Sequence, residues 1–244
     1  MHILLTLSYE GTCYGGWQRQ ANAVTVQEKL EEALARVFQT PIPVTGASRT
    51  DAGVHALGQA ASFHIENAKI PLAKMPVVLN RCLPEDIVVT EARQVADSFS
   101  PRFDAKEKTY RYQIWHNRFP NPLLRRTALF FPYPLDMDQM VEAAPHFVGR
   151  HDFAAFRAAG SSAKTTVREL YACGLTRTDS IITLTVCGGG FLYNMVRIIA
   201  GTLLYVGQNK IQPDAIGAIM DSRDRTRAGK TVPPHGLTLL EIKY

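Results

Sequence analysis

Residues 25–65, TVQEKLEEALARVFQTPIPVTGASRTDAGVHALGQAASFHI, read as one helix followed by two strands. Thr25 and Glu28 have the spacing of a capping box, in which each side chain satisfies the other residue's backbone amide. The helix that opens there has Val26, Leu30, Ala33, Leu34 and Val37 at helical spacing on one apolar face. Pro41 and Pro43 end it and lead into a short strand at 43–48. After the Arg-Thr-Asp stretch, Gln59, Ala61, Phe63 and Ile65 alternate with Ala60, Ser62 and His64, the period of a strand.

Working outward from this segment, residues 2–9 have strand character. Pro71 starts a second helix to about Arg81, with an interruption expected at Pro76. Residues 87–95 form a strand. The order is β-α-β-β-α-β, the ferredoxin-like unit. The second half repeats the order without a convincing sequence repeat. It has a strand at 106–116, a helix behind Asp136, and strands at 167–176 and 181–187 joined by the turn Arg177–Ser180. A well-buried helix from Phe191 to about Tyr205, an extra helix at 213–220 and a closing strand at 237–244 follow. The expected fold is α+β. Two tandem ferredoxin-like halves, residues 1–104 and 105–244, share a mostly antiparallel sheet with a central cleft. Residues 117–135 and 149–166 read as long basic insertions, and insertions of that length are usually functional.

The 244 residues are 46% hydrophobic and 20% charged, enough to bury a large core without disulfides or metal. Cys13, Cys82, Cys173 and Cys187 form no C-x-x-C pair and lie beside no His cluster. They argue against zinc and read as free thiols in a reducing compartment. No signal-peptide pattern opens the chain, and no apolar run approaches the ~20 residues of a membrane span, so a cytoplasmic protein is expected. Residues 1–100 hold 8 Lys and Arg against 10 Asp and Glu, while the remainder holds 19 against 12. The second half therefore carries the positive field, compatible with a polyanionic partner or with simple solubility.

Four places could carry chemistry. Asp51 precedes Ala52-Gly53 after a strand, which suits either a turn acid or an active-site carboxylate. Arg49 beside it suits a phosphate or base contact, or a surface ion pair. In Lys108-Thr109-Tyr110-Arg111-Tyr112, Tyr110 and Tyr112 share a strand face, where they pack in a core or stack on bases. Gly188-Gly189-Gly190 precedes a helix whose amides could hold an anion, but no ATP or NAD motif is present. Arg197 lies among apolar residues of the last long helix. It either snorkels to solvent or pairs with a carboxylate, for which Asp51 is a suitable partner. Such a pair would keep the carboxylate ionised at neutral pH.

Taken together, RTDAGVHA-x-GQ at 49–59, K-x-YRY at 108–112, GGGFLYNMVRIIAGTL at 188–203, RTRAGKTVPPHGLTLLEIKY at 225–244 and YEGTCYGGWQRQ at 9–20 resemble the TruA family of tRNA pseudouridine synthases. The motifs run in the family's order from end to end. Ser48 departs from the pattern, since many relatives carry Gly there, and Gly46 is expected to supply the flexibility. The resemblance implies two ferredoxin-like halves, a homodimer, no cofactor and no metal. It implies that uridines 38 to 40 of the tRNA anticodon arm are isomerised to pseudouridine. By position, Asp51 matches the catalytic Asp and Tyr110 the active-site Tyr. Arg197 matches the basic partner of the Asp, and Arg49 would help extrude the uridine. A rival reading, a pair of non-catalytic RNA-binding domains, lacks the aromatic RNP1 pattern in both halves.

Overall fold

The computed structural model describes every residue except 69, 161 and 162. The elements in chain order begin with β1 (His2–Tyr9), α1 (Val26–Phe38), β2 (Thr45–Gly46), β3 (His55–His64), α2 (Met75–Asn80) and β4 (Ile87–Val95). They continue with β5 (Glu107–Trp115), β6 (Leu129–Phe130), α3 (Met137–Ala143), β7 (Gly149–Asp152), β8 (Val167–Thr178) and β9 (Ile181–Gly188). The last are α4 (Met195–Gly207), α5 (Ala215–Ser222) and β10 (Leu237–Lys243). The fold is mixed α+β, and the chain forms two compact units. One holds Met1–Lys106 with Thr238–Tyr244, the other Glu107–Leu237.

In the first unit, β1 pairs antiparallel with both β3 and β4, and β2 pairs antiparallel with β3. The strand order is therefore β4-β1-β3-β2, with β10 meeting β3 in parallel at Thr238–His55 and Leu239–Ala56. Thr25 caps α1 as its spacing requires, its side chain accepting from the Glu28 amide at 3.3 Å. Val26, Leu30, Ala33 and Leu34 are buried from this helix. Odd positions of β1, Ile3, Leu5 and Leu7, are buried in the same unit with Phe63, Met75 and Leu79. Each such side chain contributes about 1.5–3 kcal/mol on full burial. The even side is covered too: Leu4, Ala47 and Ala60 pack with Val95, Phe99, Ile242 and Tyr244. That second cluster is why residues 59–63 of β3 are buried without alternation.

Two expectations change here. Pro76 does not interrupt α2. A 3-10 turn at Leu72–Lys74 leads into the helix, and Pro76 takes its first turn, where a missing N–H is not needed. β3 starts at His55, four residues before the alternating pattern. Gly58 hides its beginning, because a Cβ there would lie 2.4 Å from the Leu240 carbonyl oxygen.

In the second unit, β5, β9, β8 and β7 pair antiparallel in that order, and β6 adds parallel to β5. Asp136 caps α3, accepting from the Gln139 amide at 3.1 Å. The turn between β8 and β9 is shorter than expected, Asp179-Ser180 alone, with Asp179 at φ 51 as a two-residue hairpin loop demands. α4 begins at Met195 rather than Phe191, because Asn194 before it adopts a left-handed conformation, φ 60. Nearly all of α4 is buried, as its all-round apolar sequence implies. The segment expected as a second insertion is partly core: Phe153, Ala155 and Phe156 are fully buried, with Phe156 edge-on to Phe147 at 5.1 Å. Positions 161 and 162 of that segment lie outside the described residues. Among the described residues, no helix is long and apolar enough to cross a membrane.

Candidate active site

The stretch between β2 and β3 carries Arg49 and Asp51. Its first residues are tied to β3: the Ala47 amide donates to the Ala60 carbonyl at 2.8 Å, and Gln59 Nε2 donates to the Ser48 carbonyl at 2.7 Å. Exposure alternates along it, with Arg49 exposed, Thr50 buried and Asp51 half-buried. The Asp51 carbonyl accepts from the Val54 amide at 3.1 Å. Gly53 in that turn has φ 79, a conformation that favours glycine. The acid therefore does open a turn. The turn does not float on the surface, however.

The residues that hold it come from the end of β1 and the chain after it. Tyr9 and Thr50 share a buried hydroxyl–hydroxyl bond of 2.7 Å. The Trp17 amide donates to the Thr50 carbonyl at 3.1 Å, and the Gly53 amide to the Tyr14 carbonyl at 3.3 Å. Gly16, at φ 94, leaves no room for a side chain: its Cβ would stand 2.5 Å from the Thr50 oxygen. Gly46 has a comparable role. A Cβ there would meet Trp17 Nε1 at 2.1 Å, so this glycine admits an indole rather than supplying the flexibility expected of it. The Gly11 amide donates to Nδ1 of buried His55 at 2.9 Å. Tyr14 donates to the Asp86 carboxylate at 2.5 Å, and burial together with that bond pushes its phenol well above the usual range. None of these clamping residues stands out by residue type. The glycine and aromatic density of residues 9–17 is the only local signal.

Tyr110 and Arg197 lie in the second unit. Tyr110 sits on β5 opposite Val186, only 6% exposed, with its ring edge-on to Phe191 at 5.0 Å. Tyr112, two residues along on the same face, is fully buried and donates to the Pro233 carbonyl at 2.9 Å. Burial raises its pKa and the nearby Arg197 charge opposes that rise. Arg197 occupies the first turn of α4. Its Nε donates to the Val232 carbonyl at 2.8 Å and its Nη1 to Asn194 Oδ1 at 2.6 Å. Asn194 thus spends its side chain on the guanidinium rather than on a helix cap. The loop that supplies Val232 and Pro233 is pressed onto α4, since a Cβ on Gly201 would lie 1.8 Å from the Lys230 oxygen. The Gly229 amide also donates to Thr202 at 2.8 Å.

The anion cradle considered at Gly188–Gly190 does not form. Gly188 is the last residue of β9, the Gly189 amide donates to the Glu169 carbonyl, and four residues separate Gly190 from α4. The insertion at 117–135 carries exposed side chains, Phe119 under the Arg118 guanidinium and Leu123 at its tip. Among the described residues, no group of three or more His, Cys, Asp and Glu is placed to hold a metal ion.

The turn that carries Asp51 is held beside exposed Arg49, and in the second unit Arg197 lies near Tyr112 of β5. A sequence profile described as tRNA pseudouridine synthase matches residues 6–104 and 143–244. The chain belongs to the tRNA pseudouridine synthase family, isomerases that act on tRNA. Proteins named tRNA pseudouridine synthase A resemble it over their whole length. That of Acetivibrio thermocellus is 49% identical over 243 residues, covering 100% of this chain and 99% of its own. That of Thermoanaerobacter sp. (strain X514) is 47% identical with the same coverage. That of Geotalea uraniireducens is 46% identical over 242 residues, 99% of each chain.

Proposed function

We propose that this chain isomerises uridines 38, 39 and 40 of the tRNA anticodon arm to pseudouridine, with Asp51 as its catalytic carboxylate. The N1–C1′ bond breaks, the uracil turns, and a C5–C1′ bond forms. N1 gains a proton and C5 loses one. Asp51 acts by attacking ribose C1′ or by taking the 2′ proton. Tyr110 stacks on the target uracil and receives the C5 proton. By position, Arg197 is the match to the basic residue that partners the catalytic carboxylate in the family, a role that would favour the ionised acid. Arg49 assists extrusion of the uridine, an unstacking that costs a few kcal/mol and that the basic second half offsets. The enzyme works as a cytoplasmic homodimer built on two ferredoxin-like halves, 1–104 and 105–244, the second bearing tRNA-contacting insertions. The strand order of the first unit, β4-β1-β3-β2, supports that architecture.

One observation carries the assignment of Asp51: its turn is clamped from two sides while the side chain stays half-open, a use of glycines and buried bonds that a surface turn does not need. The test uses unmodified tRNA tritiated at uracil C5. Label released with pseudouridine mapped to positions 38 to 40 supports the reading. Tight tRNA binding without release contradicts it.

A further inference from the structure

Thr50 stands between Arg49 and Asp51 and faces the opposite way. Its side chain is buried while Arg49 is exposed and Asp51 half-buried. In extended backbone, successive side chains point to opposite sides, so fixing Thr50 fixes the direction of both neighbours. Two bonds from separate places do the fixing. The Tyr9 hydroxyl meets Thr50 Oγ1 at 2.7 Å, and the Trp17 amide meets the Thr50 carbonyl at 3.1 Å. Threonine is β-branched and stiff about χ1, so holding its hydroxyl holds the backbone beneath it. Tyr9 is itself aimed at this spot. The register of β1 against β3 slips between Leu7 and Tyr9, and such bulges re-aim a side chain. Both partners are about 5% exposed (Tyr9 5%, Thr50 6%), so water does not compete for the bond.

We infer that the Tyr9–Thr50 hydroxyl pair is a positioning device for Asp51, setting the carboxylate's direction toward the ribose without touching substrate. The inference rests on Asp51 being the catalytic carboxylate. It explains why the middle residue of Arg49-Thr50-Asp51 carries a hydroxyl at all: the residue faces inward, where an apolar side chain would otherwise serve.

The experiment is a double-mutant cycle on the full chain, with Tyr9→Phe, Thr50→Val and the pair, read by tritium release from uracil-labelled tRNA. Each single substitution is expected to lower kcat about tenfold, with KM and tRNA binding changed less than twofold. The double variant should be no worse than either single one, because both remove the same bond. Thr50→Ser, which keeps the hydroxyl, should restore at least half of wild-type kcat, and it also guards against a Thr50→Val chain that fails to fold. Wild-type kcat in Tyr9→Phe, losses that multiply in the double variant, or a lowered melting temperature with kcat intact would each overturn the inference. Failure of the underlying reading looks different: there, Asp51→Asn itself keeps turning over.

Discussion

Gly16→Ala places one methyl group against the backbone that carries the acid. The new Cβ would stand 2.5 Å from the Thr50 oxygen, 3.0 Å from the Asp51 carbonyl carbon and 3.1 Å from the Ala52 nitrogen. Comfortable contacts lie at about 3.5 Å, so the loop must retreat by about 1 Å. None of the three atoms is a flexible side-chain end that could swing aside. Alanine at φ 94 adds backbone strain of about 1–2 kcal/mol, and overpacking adds about 1–3 kcal/mol. We expect a loss of about 2–5 kcal/mol in denaturant unfolding. A misplacement of about 1 Å at a reacting group costs on the order of 100-fold in rate, so kcat for tritium release should fall by about that factor while tRNA affinity holds. Gly174→Ala is the control, because nothing lies within 4 Å of a Cβ there. A Gly16→Ala enzyme with unaltered stability and turnover would refute the clamp. Lost stability with intact turnover would separate the clamp from the chemistry.

Tyr110→Phe keeps the edge contact with Phe191 at 5.0 Å and should leave the melting temperature in place while tritium release falls; unchanged turnover would reduce Tyr110 to packing. Arg197→Lys should lower turnover at least tenfold, because bonds leaving Nε at 2.8 Å and Nη1 at 2.6 Å need a fork that an ammonium lacks; a fully active lysine enzyme would remove the guanidinium from the account. Tyr112, fully buried, keeps its proton above the usual phenol value of 10.0. The unfolded chain gives up that proton near pH 10 and the folded chain does not, so this contribution to stability is full below pH 10 and falls above it, by about 1.4 kcal/mol per pH unit. Urea unfolding from pH 8 to 11 should show that fall, and Tyr112→Phe should flatten it by one proton's slope.

What the sequence displayed were the local devices. Thr25 with Glu28 and Asp136 with Gln139 place a cap and its partner within one turn, so the starts of α1 and α3 could be read directly. The same locality made Asp51-Ala52-Gly53 legible as a turn. The reason the turn matters was not legible, because the Tyr9–Thr50 bond spans 41 residues and neither residue type announces it. β6 and β7 escaped notice at two and four residues, too short for alternation to register. Phe153 and Phe156 looked like part of a basic loop because their neighbours are Arg150, His151 and Arg157. Phe156 packs against Phe147 and Phe153 against Phe156, tertiary contacts that no periodicity encodes. The glycine run at 188–190 misled for the opposite reason: Gly188 serves β-pairing, where Leu170 leaves no space for a side chain.

The central claim is that Asp51 performs the chemistry, and Asp51→Asn tests it most directly. The substitution keeps the size of the side chain and removes the charge. On tRNA tritiated at uracil C5, the account predicts that the variant binds tRNA normally and releases no label above background. Release at the wild-type rate would contradict it.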